Sequence, residues 1–212
     1  MINLLIADDH AIVREGIKKI IALSSDIVVL ADAVDGPDVM QKLSDTGKFD
    51  LLLLDLTMPG VVGTSLISQL KVEFPHLPVL VFSMHNDAQV ASRAIKAGAS
   101  GFIAKDSDPE VLLDAIRRVA GGGKYIEQSL AEQLAFDAML PSQRAPHAML
   151  SSREFEVFSL LVMGRRVNDI ADQLNISNKT VSTHKLNLMV KMKLNNTADL
   201  IRYSADHNLF LG

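Results

Sequence analysis

Apolar and polar positions change rhythm partway along the chain. Over residues 1–120, short unbroken apolar runs alternate with segments whose apolar positions recur every three or four residues. Ile2–Ala7, Ile27–Ala33, Leu51–Leu54, Pro78–Ser83 and Gly101–Ala104 predict strands. Ala11–Ser24, Gly36–Thr46, Thr64–Phe74, Ala88–Ala97 and Asp108–Ala120 predict helices, with a turn at Met58-Pro59-Gly60. In Ala11–Ser24, for example, Ile12, Val13, Ile17, Ile20 and Ile21 fall at helical spacing. Runs apolar on both strand faces belong to parallel sheets covered on both sides. Five such strand–helix units imply a doubly wound α/β domain with a five-stranded parallel sheet.

The rhythm stops at Gly121-Gly122-Gly123. Tyr125–Met139 fits one more helix, and the turn formers of 140–147 place a linker there. The predicted divisions are therefore 1–121, a linker at 122–148, and 149–212. The last 65 residues offer no strand. Ser151-Ser152-Arg153-Glu154 is a capping signature opening a helix over Ser151–Met163. Val167–Leu174, Lys179–Lys193 and Thr197–Asn208 predict three more, with Asn175-Ile176-Ser177-Asn178 as a tight connection. A short helix, a tight turn and a longer basic helix form a helix-turn-helix in a small all-α domain. Its core is predicted from Phe155, Val157, Phe158, Leu161, Ile170, Leu174, Ile176, Val181, Leu188, Met192, Leu200 and Ile201.

Charge follows the same division. Residues 1–120 carry a net −5 and residues 146–212 a net +2, within an overall −4. The absence of Cys excludes disulfides, thiolate metal sites and thiol nucleophiles. No apolar run approaches the roughly 20 residues a membrane span needs, and the N-terminus lacks the basic flank of a signal peptide, so a cytoplasmic protein without a membrane partner is expected.

Ligands of an open parallel sheet sit beyond the carboxyl ends of its strands. There the chain places Asp8-Asp9, Asp55, Ser83 and Lys105. Two carboxylates about 4 Å apart repel by ~4 kcal/mol at an effective dielectric near 20, so the cluster calls for a cation. Oxygen donors without His or Cys favour Mg²⁺. A metal beside a free carboxylate suits phosphoryl transfer, with Asp55 attacking, Lys105 offsetting charge and Ser83 donating to a phosphoryl oxygen. His10 is expected to begin the loop to the first helix. Asp8, Asp9 and Asp55 also have the composition of helix N-caps, a role less able to account for five positions at four strand ends.

Asp8-Asp9, Leu54-Asp55-Leu56-Thr57-Met58-Pro59-Gly60, Ser83 and Phe102-Ile103-Ala104-Lys105 resemble the receiver domain of two-component response regulators over residues 1–121. The resemblance implies a flavodoxin-like fold and Asp55 as acceptor of a phosphoryl group from a sensor histidine kinase. It implies Mg²⁺ held by Asp9, Asp55 and the Thr57 backbone carbonyl, with Asp8 acting largely through water. Lys105 would pair with the phosphoryl group, Ser83 swing toward it and Phe102 change rotamer. Many receivers place Pro after the lysine, often with a cis peptide; here Asp106 follows, and no cis bond is expected.

In the last third, Val181, His184, Leu188 and Met192 share a face of Lys179–Lys193 that should pack inward, with His184 as a half-buried histidine. The opposite face carries Ser182, Leu186, Met189 and Lys193, flanked by Lys179, Thr183 and Lys185, a composition suited to the major groove. Leu150–Val157 and Asn168–Lys185 are similar to the LuxR-type helix-turn-helix, and the whole chain resembles the NarL/FixJ class of response regulators. That resemblance makes Lys179–Lys193 the recognition helix on double-stranded DNA. Lys179, Thr180 and Lys185 would contact phosphates, and Ser182, Thr183 and Leu186 would face bases. Some members carry Lys at the positions of Ser182 and Leu186, so Leu186 is expected to touch a thymine methyl rather than guanine. Thr197–Asn208 would help form a homodimer on DNA or upon phosphorylation. Arg165-Arg166 suits either a phosphate contact or a solvated turn.

Two other classes fit the sequence less well. An aspartate-nucleophile phosphohydrolase would need an acid two residues beyond Asp55, where Thr57 stands, and a cap insertion the chain lacks. A protein-binding adaptor would leave the helical domain without DNA. The expected function is Mg²⁺-dependent phosphorylation of Asp55, the only catalysis being the chain's own phosphorylation and dephosphorylation, switching dimerisation and DNA binding.

Overall fold

The apolar runs of the N-terminal half pair side by side as parallel strands. In this computed structural model, residues 1–46, 48–58, 64–84, 88–139, 145–174, 176–207 and 209 are described, apart from the side chains at 46, 137 and 138. The expected turn at Pro59-Gly60, the linker positions 140–144, Asn175 and Asn208 lie outside them. The chain divides into two compact units, Met1–Ala131 and Glu132–Gly212.

The first unit alternates β1 (Ile2–Ala7), α1 (Ala11–Ile21), β2 (Ile27–Ala33), α2 (Gly36–Thr46), β3 (Leu51–Leu54) and α3 (Thr64–Glu73). It continues through β4 (Val79–Ser83), α4 (Ala88–Ala97), β5 (Gly101–Ala104), α5 (Pro109–Ala120) and β6 (Tyr125–Ile126). The sheet order is β2-β1-β3-β4-β5-β6, all parallel, with the order reversing beside β1. Alternation along the strands sends Leu4, Ile6, Leu51, Leu53, Leu80, Phe82 and Ile103 into one core with Ile17 and Ile21 of α1 and Leu112, Ala115, Ile116 and Val119 of α5. Leu5, Leu52, Leu54, Val81 and Phe102, at the intervening positions, are also fully buried. A sheet covered on both faces explains why these runs lack polar alternation.

The sheet has six strands rather than five, because Tyr125–Ile126 does not begin the next helix. Tyr and Ile favour extended backbone, and β5 leaves an open edge. Gly101 pairs with Tyr125 and Phe102 with Ile126. A Cβ on Gly101 would lie 2.7 Å from the Tyr125 carbonyl oxygen, so only glycine permits this approach. The helix expected over Tyr125–Met139 is accordingly α6 (Gln128–Met139), which runs across the division between the units. Ser107, in the loop after β5, donates its hydroxyl to Glu127 Oε1 at 2.7 Å, just before α6.

The second unit contains a 3₁₀ turn at Pro146–Met149, then α7 (Ser152–Val162), α8 (Val167–Leu174), α9 (Asn178–Met192) and α10 (Thr197–Asp206). Ser151 and Glu154 form the expected capping box. Ser177 caps α9, and Lys193 closes it in the left-handed region at φ 56°. Val157, Phe158, Leu161, Ile170, Leu174, Val181, Leu188, Met192 and Leu200 are buried as predicted. Phe155 and Ile176 are only half-buried and Ile201 is 45% exposed, correcting three of the predicted core positions. His147, where a linker was expected, is buried. Its Nδ1 lies 2.8 Å from the Tyr203 hydroxyl, and its ring meets the His207 ring edge-on.

Candidate functional site

Sheet register builds the candidate phosphoacceptor rim. Ala7 pairs with Leu54, and the Asp55 amide donates to the Ala7 carbonyl at 2.8 Å, so Asp8 and Asp55 emerge side by side where the strand order reverses. Ser83 pairs with Ala104, and the Lys105 amide donates to the Ser83 carbonyl at 2.8 Å. Four residues distant in sequence thus leave adjacent strand ends at one level.

Their side chains converge. Lys105 Nζ donates to Asp8 Oδ2 at 2.6 Å and lies 3.1 Å from Asp55 Oδ2. All three are buried, and the ammonium also lies 5.9 Å from the centre of the Phe82 ring. Asp55 accepts from the Thr57 hydroxyl at 2.7 Å and the Thr57 amide at 3.3 Å. Burial pushes the Asp55 carboxyl above its ordinary range; Lys105 and the Thr57 hydroxyl oppose that shift, and neighbouring Asp8 adds to it. Asp8 Oδ1 accepts from the His10 amide at 2.8 Å.

Asp8, Asp9, His10 and Asp55 each offer a ligand atom within 4.8 Å of the others. The carboxylates give a hard oxygen set fitting Mg²⁺, and a second positive charge is what two buried acids beside one lysine lack. His10 is the residue preceding α1, as expected, but its Nδ1 also lies 2.9 Å from Asp9 Oδ1, so it belongs to the rim's surroundings. None of the three aspartates caps a helix: the N-cap position of α1 is His10, and α3 starts only at Thr64. Ser83 is buried beside the rim, and Phe102 is fully buried on β5. Among the described residues no peptide bond is cis, so Lys105–Asp106 is trans as expected.

Two contributions at this rim escaped the sequence reading. Thr57 engages Asp55 through its side chain, where only its carbonyl was anticipated; its position two residues after an aspartate is the spacing of a local side-chain-to-backbone turn. Arg14 returns from α1, its Nη1 donating to the Asp8 carbonyl at 2.7 Å.

The second candidate surface is α9. Val181, Leu188 and Met192 face inward with His184 half-buried, as the helical spacing predicted. Lys179, Ser182, Thr183 and Leu186 are exposed, while Thr180 and Lys185 are half-buried. The Thr180 amide donates to the Ser177 hydroxyl oxygen at 3.1 Å, and the two side-chain oxygens lie 2.8 Å apart. The Thr183 hydroxyl donates to the Lys179 carbonyl at 2.9 Å, so its oxygen keeps its acceptor capacity. Leu186 is 64% exposed, and Val190, one turn on and not anticipated, is 70% exposed. Their spacing of four residues is the signal that joins them on one face. Arg165 and Arg166 are exposed before α8, and the Arg166 amide donates to Asp169 Oδ2 at 3.2 Å.

Comparison with known proteins finds a match for each part of the chain. Residues 4–117 match the family described as response regulator receiver domain. Residues 148–204 match bacterial regulatory proteins, luxR family. The chain is 31% identical over 210 residues to response regulator UvrY of Escherichia coli, covering 99% of this chain and 96% of that one. It is 35% identical over 218 residues to oxygen regulatory protein NreC of Staphylococcus epidermidis, covering 98% of each. Its fold is similar to that of RcsB from Salmonella enterica serovar Typhimurium, solved bound to promoter rprA with the phosphomimetic BeF3−. That match has a TM-score of 0.78 and 29% identity, covering 95% of this chain and 97% of that chain. By these matches the chain belongs to the NarL/FixJ family of response regulators, a receiver domain followed by a LuxR-type helix-turn-helix DNA-binding domain.

Proposed function

We propose that the chain is a transcription regulator switched by phosphorylation of Asp55, with 1–121 as phosphoacceptor domain, 122–148 as linker and 149–212 as DNA-binding domain. One observation carries the reading: Lys105 lies 2.6 Å from Asp8 and 3.1 Å from Asp55 at the point where the strand order reverses. A sensor histidine kinase is the donor class that delivers a phosphoryl group to such a carboxylate. Asp8, Asp9, Asp55 and the Thr57 carbonyl would hold Mg²⁺, which when bound neutralises phosphoryl oxygens. Asp55 attacks phosphorus, the bond from phosphorus to the donor imidazole nitrogen breaks, and that nitrogen keeps the electron pair. Lys105 offsets the charge on the acyl phosphate, and Ser83 donates to one of its oxygens. Phe102 follows Ser83 by changing rotamer, altering the surface around α4, β5 and α5.

The output is a homodimer on double-stranded DNA, with two copies of α9 reaching half-sites about one helical turn apart. Lys179, Thr180 and Lys185 contact phosphates; Ser182, Thr183 and Leu186 face base edges. RcsB was solved on promoter DNA, which supports this assignment for α9. A DNA target places the protein's work in the cytoplasm, and its only catalysis is its own phosphorylation and dephosphorylation.

The test is phosphate incorporation from acetyl phosphate with Mg²⁺. The wild-type chain should take up one phosphate and lose uptake with a chelator, and Asp55→Asn should take up none. Labelling that persists in Asp55→Asn rejects the assignment.

A further inference from the structure

Arg14 sits in the first turns of α1 and points back toward the acidic rim. Its backbone amide donates to the His10 carbonyl at 3.2 Å. Its Nη1 donates to the Asp8 carbonyl at 2.7 Å, and its Nε donates to Asp32 Oδ2, on β2, at 2.9 Å. The Arg14 side chain is only 13% exposed. The Asp8 carbonyl belongs to the peptide that joins Asp8 to Asp9, so holding that oxygen fixes where the Asp9 Cα lies. Two further bonds complete the fixation: the Asp8 amide donates to the Ala33 carbonyl at 3.1 Å, and the His10 amide donates to Asp8 Oδ1 at 2.8 Å.

A cation this close to a cation site would oppose metal binding unless its charge were matched. Asp32 matches it. Lys18 Nζ lies 3.1 Å from Asp32 Oδ1 and 2.9 Å from Glu15 Oε1, so two basic and two acidic groups balance. Arg14 therefore brings geometry to the rim without net charge. A planar fork bonding a carbonyl on one side and a carboxylate on the other is a task for arginine; a lysine ammonium cannot reproduce both bonds in that geometry.

We infer that Arg14 is a positioning residue for the divalent-cation site, pinning the peptide plane that carries Asp9. The inference rests on the reading of the rim as a Mg²⁺ site. The experiment titrates Mn²⁺ into the full chain, following free Mn²⁺ by electron paramagnetic resonance, for wild type, Arg14→Lys, Arg14→Ala and Asp32→Asn. Losing an outer-shell partner weakens metal binding by about 10–100-fold. Arg14→Ala should lie near the lower end of that range, with Arg14→Lys and Asp32→Asn between it and wild type. A second readout separates positioning from general support. The Mg²⁺ concentration for half-maximal phosphorylation should rise in Arg14→Lys, while the rate at saturating Mg²⁺ stays within about twofold of wild type. Equal loss in both quantities, or Mn²⁺ affinity within about twofold of wild type in every folded Arg14 variant, overturns the inference. If Arg14→Ala fails to fold, Arg14→Lys alone decides. If the wild-type chain binds no Mn²⁺, the reading of the rim itself falls.

Discussion

Lys191, near the C-terminal end of α9, reaches Glu154 at the start of α7, with Nζ 2.6 Å from Oε2. The same carboxylate accepts from the Ser151 amide at 2.7 Å, so one buried acid both caps α7 and ties down the far end of α9. Glu154→Ala removes the cap and the pair together. It should destabilise the C-terminal unit by about 2 kcal/mol, seen as faster hydrogen exchange in α7 and α9. Unchanged exchange in α9 would show that the pair does not hold that helix.

The same acid sets a pH dependence. Burial opposes ionisation of Glu154, but hydrogen bonds from Lys191 and Ser151 outweigh it and hold the carboxyl below its usual range. A depressed folded value means that its stabilisation is present above the unfolded value, about 4.5, and is lost as pH falls through the lower folded one. Exchange from α7 should accelerate on acidification through that window. Glu154→Gln should flatten this response.

Asp55 works in the opposite sense. Its raised carboxyl binds a proton more tightly when folded, so its contribution to stability is fully present below the unfolded value and is lost as pH rises through the folded one. When ionised, the buried group is a cost that a divalent cation offsets. In chelator, Asp55→Asn should melt about 2–4 °C above wild type in its N-terminal unit. Added Mg²⁺ should narrow that gap by raising wild type. A lower melting point for Asp55→Asn in chelator contradicts this account.

Lys185→Ala should weaken binding by a similar factor across unrelated duplexes, and the slope of log affinity against log salt should flatten by about one. A loss confined to one sequence would assign Lys185 to a base instead.

Leu186 and Val190 make an apolar strip on an otherwise polar helix face. If Leu186 meets a thymine methyl, Leu186→Ala should cost about 1 kcal/mol on the preferred site and clearly less on a site where that thymine is replaced by uracil. Equal loss on both sites places Leu186 away from the groove floor.

The sheet and rim were legible because few signals compete there. Leu51–Leu54 is buried on both faces, and four leucines bounded by Asp50 and Asp55 are too short a run for a helix and suit a central strand. Once the strands pair in parallel, their ends must meet, so Asp8, Asp55, Ser83 and Lys105 needed no further information. What stayed hidden depends on contacts distant in sequence. Arg14 looked like an ordinary polar position of an amphipathic helix until β2 supplied Asp32 and β1 the Asp8 carbonyl. His147 stood among turn formers, and only the packing of Tyr203 and His207 against it makes it part of a core. Tyr125–Ile126 is too short to show periodicity, and its strand character comes from the vacant edge beside Gly101.

That short edge strand has a mechanical corollary. The tether toward the C-terminal unit departs from the lattice of the sheet itself, zipped to the strand that bears Phe102 and stitched through Glu127 to the loop just past Lys105. A receiver trimmed after Gly121 would lose this strand and leave the β5 edge as raw, unpaired peptide.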